Sequence, residues 1–173
     1  MKYNETKGVS ISELSLGTVQ LGVSYGINNQ SGKPDRTQAF GILDTALTNG
    51  ISALDTAAAY GDSEQIIGQW LQTVPEEKRP FITTKLWVTD WRPKDARRAI
   101  RTCLQELQLD YLDLYLIHNA VFLNLAPEDE ERRQKGEFFD YNTIVADDPK
   151  LRIGYSIDNL KITWKTMEEF VRE

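Results

Sequence analysis

The stretch ISALDTAAAYG, residues 51–61, decides the fold. An apolar run ends in Asp55, Thr56 and three alanines follow, and Tyr60 stands just ahead of Gly61. A carboxylate at the end of a buried strand is costly unless something pairs with it. Tyr60 then falls where a loop begins. Asp55 therefore demands a cation from elsewhere in the chain.

Working outward, the same alternation recurs on both sides. Upstream, VSISELSLGTVQLG (9–22) reads as a small hairpin followed by a first strand, LSLGTVQLG. GINNQSGKPDRT (26–37) is loop-like. Ala39, Phe40, Leu43, Ala46 and Leu47 then share one helical face. Asp35 or Thr37 suits its start, and Asn49-Gly50 suits a left-handed stop. ISALDTA is the second strand, and Ser63 is placed to cap a helix running to Leu71. FITTKLW (81–87) is β-branched and reads as the third strand. Pro93 opens the clearest helix, to residue 108, with Ala96, Ala99, Ile100, Cys103, Leu104 and Leu107 as its apolar stripe. YLDLYLIH (111–118) is the fourth strand and RIGYSI (152–157) a short fifth. Residues Thr163 to Val171 read as a last helix, with Trp164, Met167, Phe170 and Val171 on one side.

Strict alternation of strands and helices predicts an α/β fold with parallel strands and right-handed crossovers. No low-complexity linker splits the chain, so it reads as one domain over 1–173, with a charged, irregular segment at 125–150. At 173 residues, 40% hydrophobic and 27% charged, it is long enough to bury a real core. The net charge of −6 argues against nucleic acid as a main partner. No run of about 18 apolar residues suggests a membrane span, and no signal peptide is evident. Cys103 is the one cysteine, so no intrachain disulfide forms and a cytoplasmic setting is the simplest. It reads as a packed thiol. With one histidine, His118, a multi-histidine metal site is excluded and no metal is expected.

In a parallel sheet, Asp55, Tyr60, Lys85 and His118 gather at the C-terminal rim, where α/β barrels hold their active sites. Lys85 is the cation that Asp55 demands. A Lys ammonium stabilises a neighbouring phenolate, so Tyr60 can release a proton. His118 can orient a carbonyl oxygen. The set would protonate a carbonyl oxygen as hydride reaches its carbon. Taken singly, Lys85 with Asp55 reads as a structural ion pair, His118 as a hydrogen-bonded structural histidine and Tyr60 as a loop aromatic; the four at one rim read as a site. Lys85 as a Schiff-base nucleophile is a weaker reading, since Asp55 beside it favours the charged amine. Trp87 and Trp91 stand where they could line an apolar substrate pocket or simply pack.

LGTVQLG, LDTAAAYGDSE, ITTKL and YLDLYLIH, in that order, resemble the aldo-keto reductases over about residues 14–120, and IGYSI resembles them more loosely. The resemblance implies a (β/α)8 TIM-type barrel and NADPH-dependent reduction of aldehydes or ketones. It implies Tyr60 as general acid, Lys85 and Asp55 as its tuning pair, and His118 as the residue that orients a small-molecule carbonyl substrate. Gly17, Thr18, Asp55 and Ser156 resemble cofactor contacts, although the family often has Asn where Ile157 stands. A full barrel needs about 250 residues, so the expectation is an incomplete barrel of about five βα units, truncated relative to the family. The family's phosphate and adenosine contacts lie mostly in later strands, and no G-x-G-x-x-G follows a strand here. An open arc of strands exposes edges and apolar layers, which self-association could cover. The competing expectation is a catalytically silent fragment or binding subunit that keeps the four residues.

Overall fold

The computed structural model describes residues 1–6, 8–124, 131, 152–154 and 156–172. The segment predicted at 125–150 lies outside the described residues, Glu131 apart. Two compact units emerge: residues 1–85 with 101–116, and residues 86–100 with 117–173.

In the first unit, β1 (Tyr3–Thr6) and β2 (Val9–Ser12) form the expected antiparallel hairpin, turning through Gly8 at φ 82°. The backbone N–H of Ser12 donates to Ser52 Oγ and that of Ser52 to Ser12 Oγ, each at 2.9 Å, tying the hairpin to the residue just before the strand Ala53–Asp55. β3 is only Leu16–Gly17, and Val19–Gly22 is a single helical turn, α1, not the strand predicted through residue 22. The reason is local. Thr18 spends both its backbone N–H and its hydroxyl on the Asp55 carbonyl, each at 3.0 Å, and the turn then drops Leu21 into the core.

α2 (Arg36–Thr48) starts as its sequence dictates. Asp35 accepts from the Gln38 N–H at 2.8 Å and Gln38 accepts from the Asp35 N–H at 3.0 Å, a reciprocal cap. It stops at Asn49, and Gly50 takes φ 85°, the left-handed stop. β4 (Ala53–Asp55), α3 (Ser63–Leu71), a 3-10 turn (Glu76–Lys78), β5 (Phe81–Leu86), α4 (Pro93–Leu107) and β6 (Leu114–Ile117) follow. The sheet order is β3-β4-β5-β6, its strands parallel. Gly17 pairs with Asp55, and Asp55 with Thr83.

The core lies between this sheet and its helices. Ile66, Ile67 and Trp70 of α3 meet Ala39 and Leu43 of α2, with Leu54 and Ile82 from the strands. Trp70 is fully buried, and its indole N–H donates to Asp44 at 2.8 Å, so its polar atom is satisfied. Arg79 pairs with Asp113 at 2.9 Å, and the other Asp113 oxygen accepts from the Ile82 N–H at 2.8 Å. Leu114 and Leu116 of β6 remain 40% and 39% exposed, the uncovered apolar layer expected of an incomplete barrel.

The second unit departs further from expectation. The fifth strand, β8, is Arg152–Gly154, and it pairs antiparallel with an unforeseen β7 (Phe122–Asn124) rather than extending the parallel sheet. The last helix, α5, spans Ile157–Phe170 and so begins six residues before the predicted start. Ser156 ends the extended segment by capping it: its Oγ accepts from the Asn159 N–H at 3.2 Å. The buried positions of α5 are Thr163 and Thr166, not the predicted aromatic side; Trp164 and Val171 are exposed. Thr163 sits inward because its hydroxyl finds the Trp91 carbonyl at 2.9 Å. Arg97 pairs with Glu169 across the unit. Among the described residues, no helix is long and apolar enough to cross a membrane, and no group of three or more His, Cys, Asp or Glu could hold a metal ion.

Candidate active site

β4 delivers Asp55 at its last residue, and β5 delivers Lys85 at its last but one. The Lys85 ammonium donates to Asp55 Oδ1 at 2.6 Å and to the Thr56 carbonyl at 2.8 Å, and it reaches the Tyr60 hydroxyl at 3.5 Å. Its nitrogen also lies 5.0 Å from the centre of the Tyr60 ring. All three ammonium protons thus have acceptors, and the Lys85 side chain is 12% exposed. A buried cation is tolerated only with such satisfaction. Asp55, Tyr60 and Lys85 therefore come together as the sequence predicts.

Tyr60 is held by its backbone. Its N–H donates to the Ala57 carbonyl at 2.9 Å, and its own carbonyl accepts from the Ser63 N–H at 3.1 Å. Gly22 presses on the same peptide: a Cβ there would sit 1.6 Å from the Tyr60 carbonyl oxygen and 2.7 Å from the Ser63 nitrogen. Gly61 adopts φ 60°, with the Gly22 carbonyl 2.4 Å from where its Cβ would stand. Two chain segments therefore touch backbone to backbone at Tyr60, which side chains would prevent.

Beneath the cluster is a buried hydroxyl network. Ser63 Oγ bonds Thr18 Oγ1 at 3.0 Å and the Thr18 carbonyl at 3.1 Å, and Thr56 Oγ1 bonds Ser63 Oγ at 3.2 Å. Ser63 is thus the first helical residue, with Asp62 at the cap, and not the predicted N-cap. Of the cofactor contacts expected at the first strand, Thr18, just past β3, is buried with its hydroxyl in this network, whereas beside Gly17 there is open space. Ser156, the third, lies in the second unit as the cap of α5.

His118 also belongs to the second unit, directly after β6. Its N–H donates to the Leu86 carbonyl at 3.0 Å, and its ring meets Trp87 edge-on at 4.9 Å. Trp91 is covered by the Arg92 guanidinium, 4.4 Å from its ring centre.

Glu64 is the functional-looking residue that the sequence reading missed. It is 1% exposed on α3, and Thr84 donates to its Oε1 at 2.6 Å. Cys103 of α4 also donates to it. A signal existed: Glu64, Ile67, Gly68 and Leu71 share helical spacing, so Glu64 falls on the buried face. Burial pushes its carboxyl up to about 7, aided by the like charge of Glu106, and the bonds from Thr84 and Cys103 with the Lys85 charge only partly oppose this. Burial and the neighbouring Glu64 raise the Cys103 thiol well above its usual value, so it is the inert packed thiol expected. The folded state holds the Glu64 proton more tightly than the unfolded chain does. Stability from this group is therefore full below about 4.5 and is lost as pH rises to about 7. Urea midpoints should fall across that window, and Glu64→Gln should flatten this part of the profile; a Gln variant with an unchanged slope contradicts the assignment.

Parallel strands with Asp55 and Lys85 at their C-terminal ends, and Tyr60 in the turn after β4, define an α/β protein of the barrel type with an active-site-like cluster. Comparison with known proteins gives the family. The aldo/keto reductase family model matches residues 13–173. Aldo-keto reductase family 1 member A1 of Sus scrofa is 33% identical over 153 residues, covering 84% of this chain and 41% of that protein. Aldo-keto reductase family 4 member C11 of Arabidopsis thaliana is 35% identical over 133 residues, covering 73% and 35%. Among solved structures, the aldose reductase of Schistosoma japonicum superposes with a TM-score of 0.63 at 30% identity, over 99% of this chain and 48% of that one. A second aldo-keto reductase, from Pseudomonas, gives a TM-score of 0.60 at 28% identity, over 79% and 57%. The chain belongs to the aldo/keto reductase family, and its fold is an incomplete (β/α)8 barrel. It spans less than half the length of these curated relatives.

Proposed function

We propose that this chain carries the proton-donating centre of a nicotinamide-dependent oxidoreductase that reduces aldehydes or ketones. The observation that carries this reading is the single Lys85 ammonium bonded at once to Asp55, the Thr56 carbonyl and the Tyr60 hydroxyl. A positive charge fixed beside a phenol favours the phenolate left after proton transfer, and a partner that immobilises the charge avoids reorganisation during the step. Tyr60 donates its proton to the carbonyl oxygen, Lys85 stabilises the oxygen left behind, and Asp55 with Thr56 holds Lys85 in place. His118 orients the substrate oxygen, a role that rests on the resemblance. Gly17 pairs in register with Asp55 and has no atom within 4 Å of where a side chain would stand, which supports an approach of the cofactor there. When bound, NADPH supplies the hydride that adds to the carbonyl carbon. Gly17 and Asp55 would border it, with the Thr18 hydroxyl held on the Asp55 carbonyl; a contact from Ser156 is what the resemblance implies.

Lys85→Met is expected to cut NADPH-dependent reduction of a test aldehyde about 100-fold in kcat, the scale of one lost electrostatic group. Wild-type turnover in that variant would remove the proposal.

A further inference from the structure

Behind β5, on the side away from the Lys85 ammonium, a chain of buried polar groups crosses the helix–sheet interface. Thr84, next in sequence to Lys85, donates to Glu64 at 2.6 Å. Cys103 of α4 donates to the same carboxyl, and Tyr115 of β6 lies near enough to Cys103 to favour its charged form. Glu64, Thr84 and Cys103 are each at most 1% exposed. Water cannot reach them, and apolar side chains of the same size would fill the space at lower cost. Retaining a carboxyl there suits a role beyond packing.

We propose that Glu64 is a positioning residue for Lys85, acting through Thr84 and through its charge to set how firmly Lys85 is shared between Asp55 and Tyr60. This rests on the reading of Lys85 and Tyr60 given above. With its proton on, Glu64 is a neutral anchor for Thr84 and so for the end of β5. With the proton off, a second carboxylate faces Lys85 from behind the strand while Asp55 holds it from the front. A second anion draws on the same ammonium and weakens its support of a Tyr60 phenolate. The charged and titratable groups facing Glu64 are Lys85 on β5, Cys103 and Glu106 on α4, and, through Cys103, Tyr115 on β6. Glu106 opposes loss of the proton and Lys85 favours it. The device therefore switches near neutral pH, where burial places the Glu64 carboxyl.

The test needs no turnover. The full chain is labelled with 13C-lysine, and the Lys85 Cε signal is assigned by its loss in Lys85→Met. It is then followed from about pH 5.5 to 8.5, the span around a carboxyl shifted by burial. The wild-type signal is expected to move with a midpoint near 7, and the Glu64→Gln signal to stay in place over the same range. Thr84→Val, which keeps the carboxyl but removes a bond to its charged form, should move the midpoint upward and serves if Glu64→Gln does not fold. An unmoving wild-type signal, an equal movement in Glu64→Gln, or an unshifted midpoint in Thr84→Val overturns the proposal. These outcomes are separate from the functional reading, which instead fails if Tyr60→Phe still reduces carbonyls.

Discussion

Phe in place of Tyr60 is expected to lower kcat for carbonyl reduction by about 1000-fold, in the middle of the range for a lost general acid. That is about 4 kcal/mol of barrier. The substitution isolates one oxygen. Phe keeps the ring that lies 5.0 Å from the Lys85 nitrogen. The turn that places residue 60 is made by backbone bonds to Ala57 and Ser63, which Phe leaves untouched. Lys85 loses only its longest contact, at 3.5 Å, and keeps Asp55 and Thr56. Melting temperature should therefore stay within a few degrees while turnover collapses. Steady-state kinetics alongside thermal unfolding reads both. Turnover within tenfold of wild type would mean that another group donates the proton.

The second large effect is expected at Gly22, which touches no reacting atom. Ala there needs a Cβ 1.6 Å from the Tyr60 carbonyl oxygen, and that oxygen is backbone, so no rotamer change relieves the clash. One of the two segments must move by more than 1 Å, roughly the displacement that costs 100-fold in rate when it reaches a catalytic group. The strain itself should cost about 3 kcal/mol, the upper end for overpacking a tight contact. Movement would also break the Ser63 N–H bond to Tyr60 and disturb the Thr18–Ser63–Thr56 hydroxyls. Gly22→Ala should therefore lose both stability and kcat, whereas Gly41→Ala, at an exposed helical position with nothing within 4 Å, should lose neither. Chemical denaturation and kinetics on the two variants decide it. A Gly22→Ala protein as stable and active as wild type would show that the close approach at Tyr60 does not set the site.

The parts of this structure that were legible in the sequence are those written in local signals. The Asp35 cap, the Gly50 stop and Pro93 as the first residue of α4 each act within one turn of chain, and each stands where its chemistry predicts. The alternation through β6 was legible because each helix needs an apolar stripe and each buried strand an apolar run. Asp55 and Lys85 were legible as a pair because a carboxylate at a buried strand end has few other solutions. The misses share a different cause. TVQLG alternates like a strand, but Thr18 is captured by the Asp55 carbonyl, 37 residues away, and the chain coils. Ser63 looks like a cap, but its hydroxyl is drawn inward by Thr18. Thr163 displaces the aromatic face of α5 because the Trp91 carbonyl, 72 residues away, accepts its proton. Long-range hydrogen bonds of this kind leave no periodicity. Glu64 differs, since helical spacing does place it on the buried face, and only the habit of reading acidic residues as exposed hides it.

If the Tyr60–Lys85–Asp55 cluster works with a nicotinamide cofactor, as proposed above, this chain binds one. The most direct measurement is titration of the purified chain with NADPH, followed by fluorescence, with oligomeric state recorded in the same buffer. The account predicts saturable binding at roughly micromolar cofactor, within the ordinary range of enzyme KM values. No binding at millimolar NADPH would contradict it and leave the cluster as an inherited arrangement without turnover.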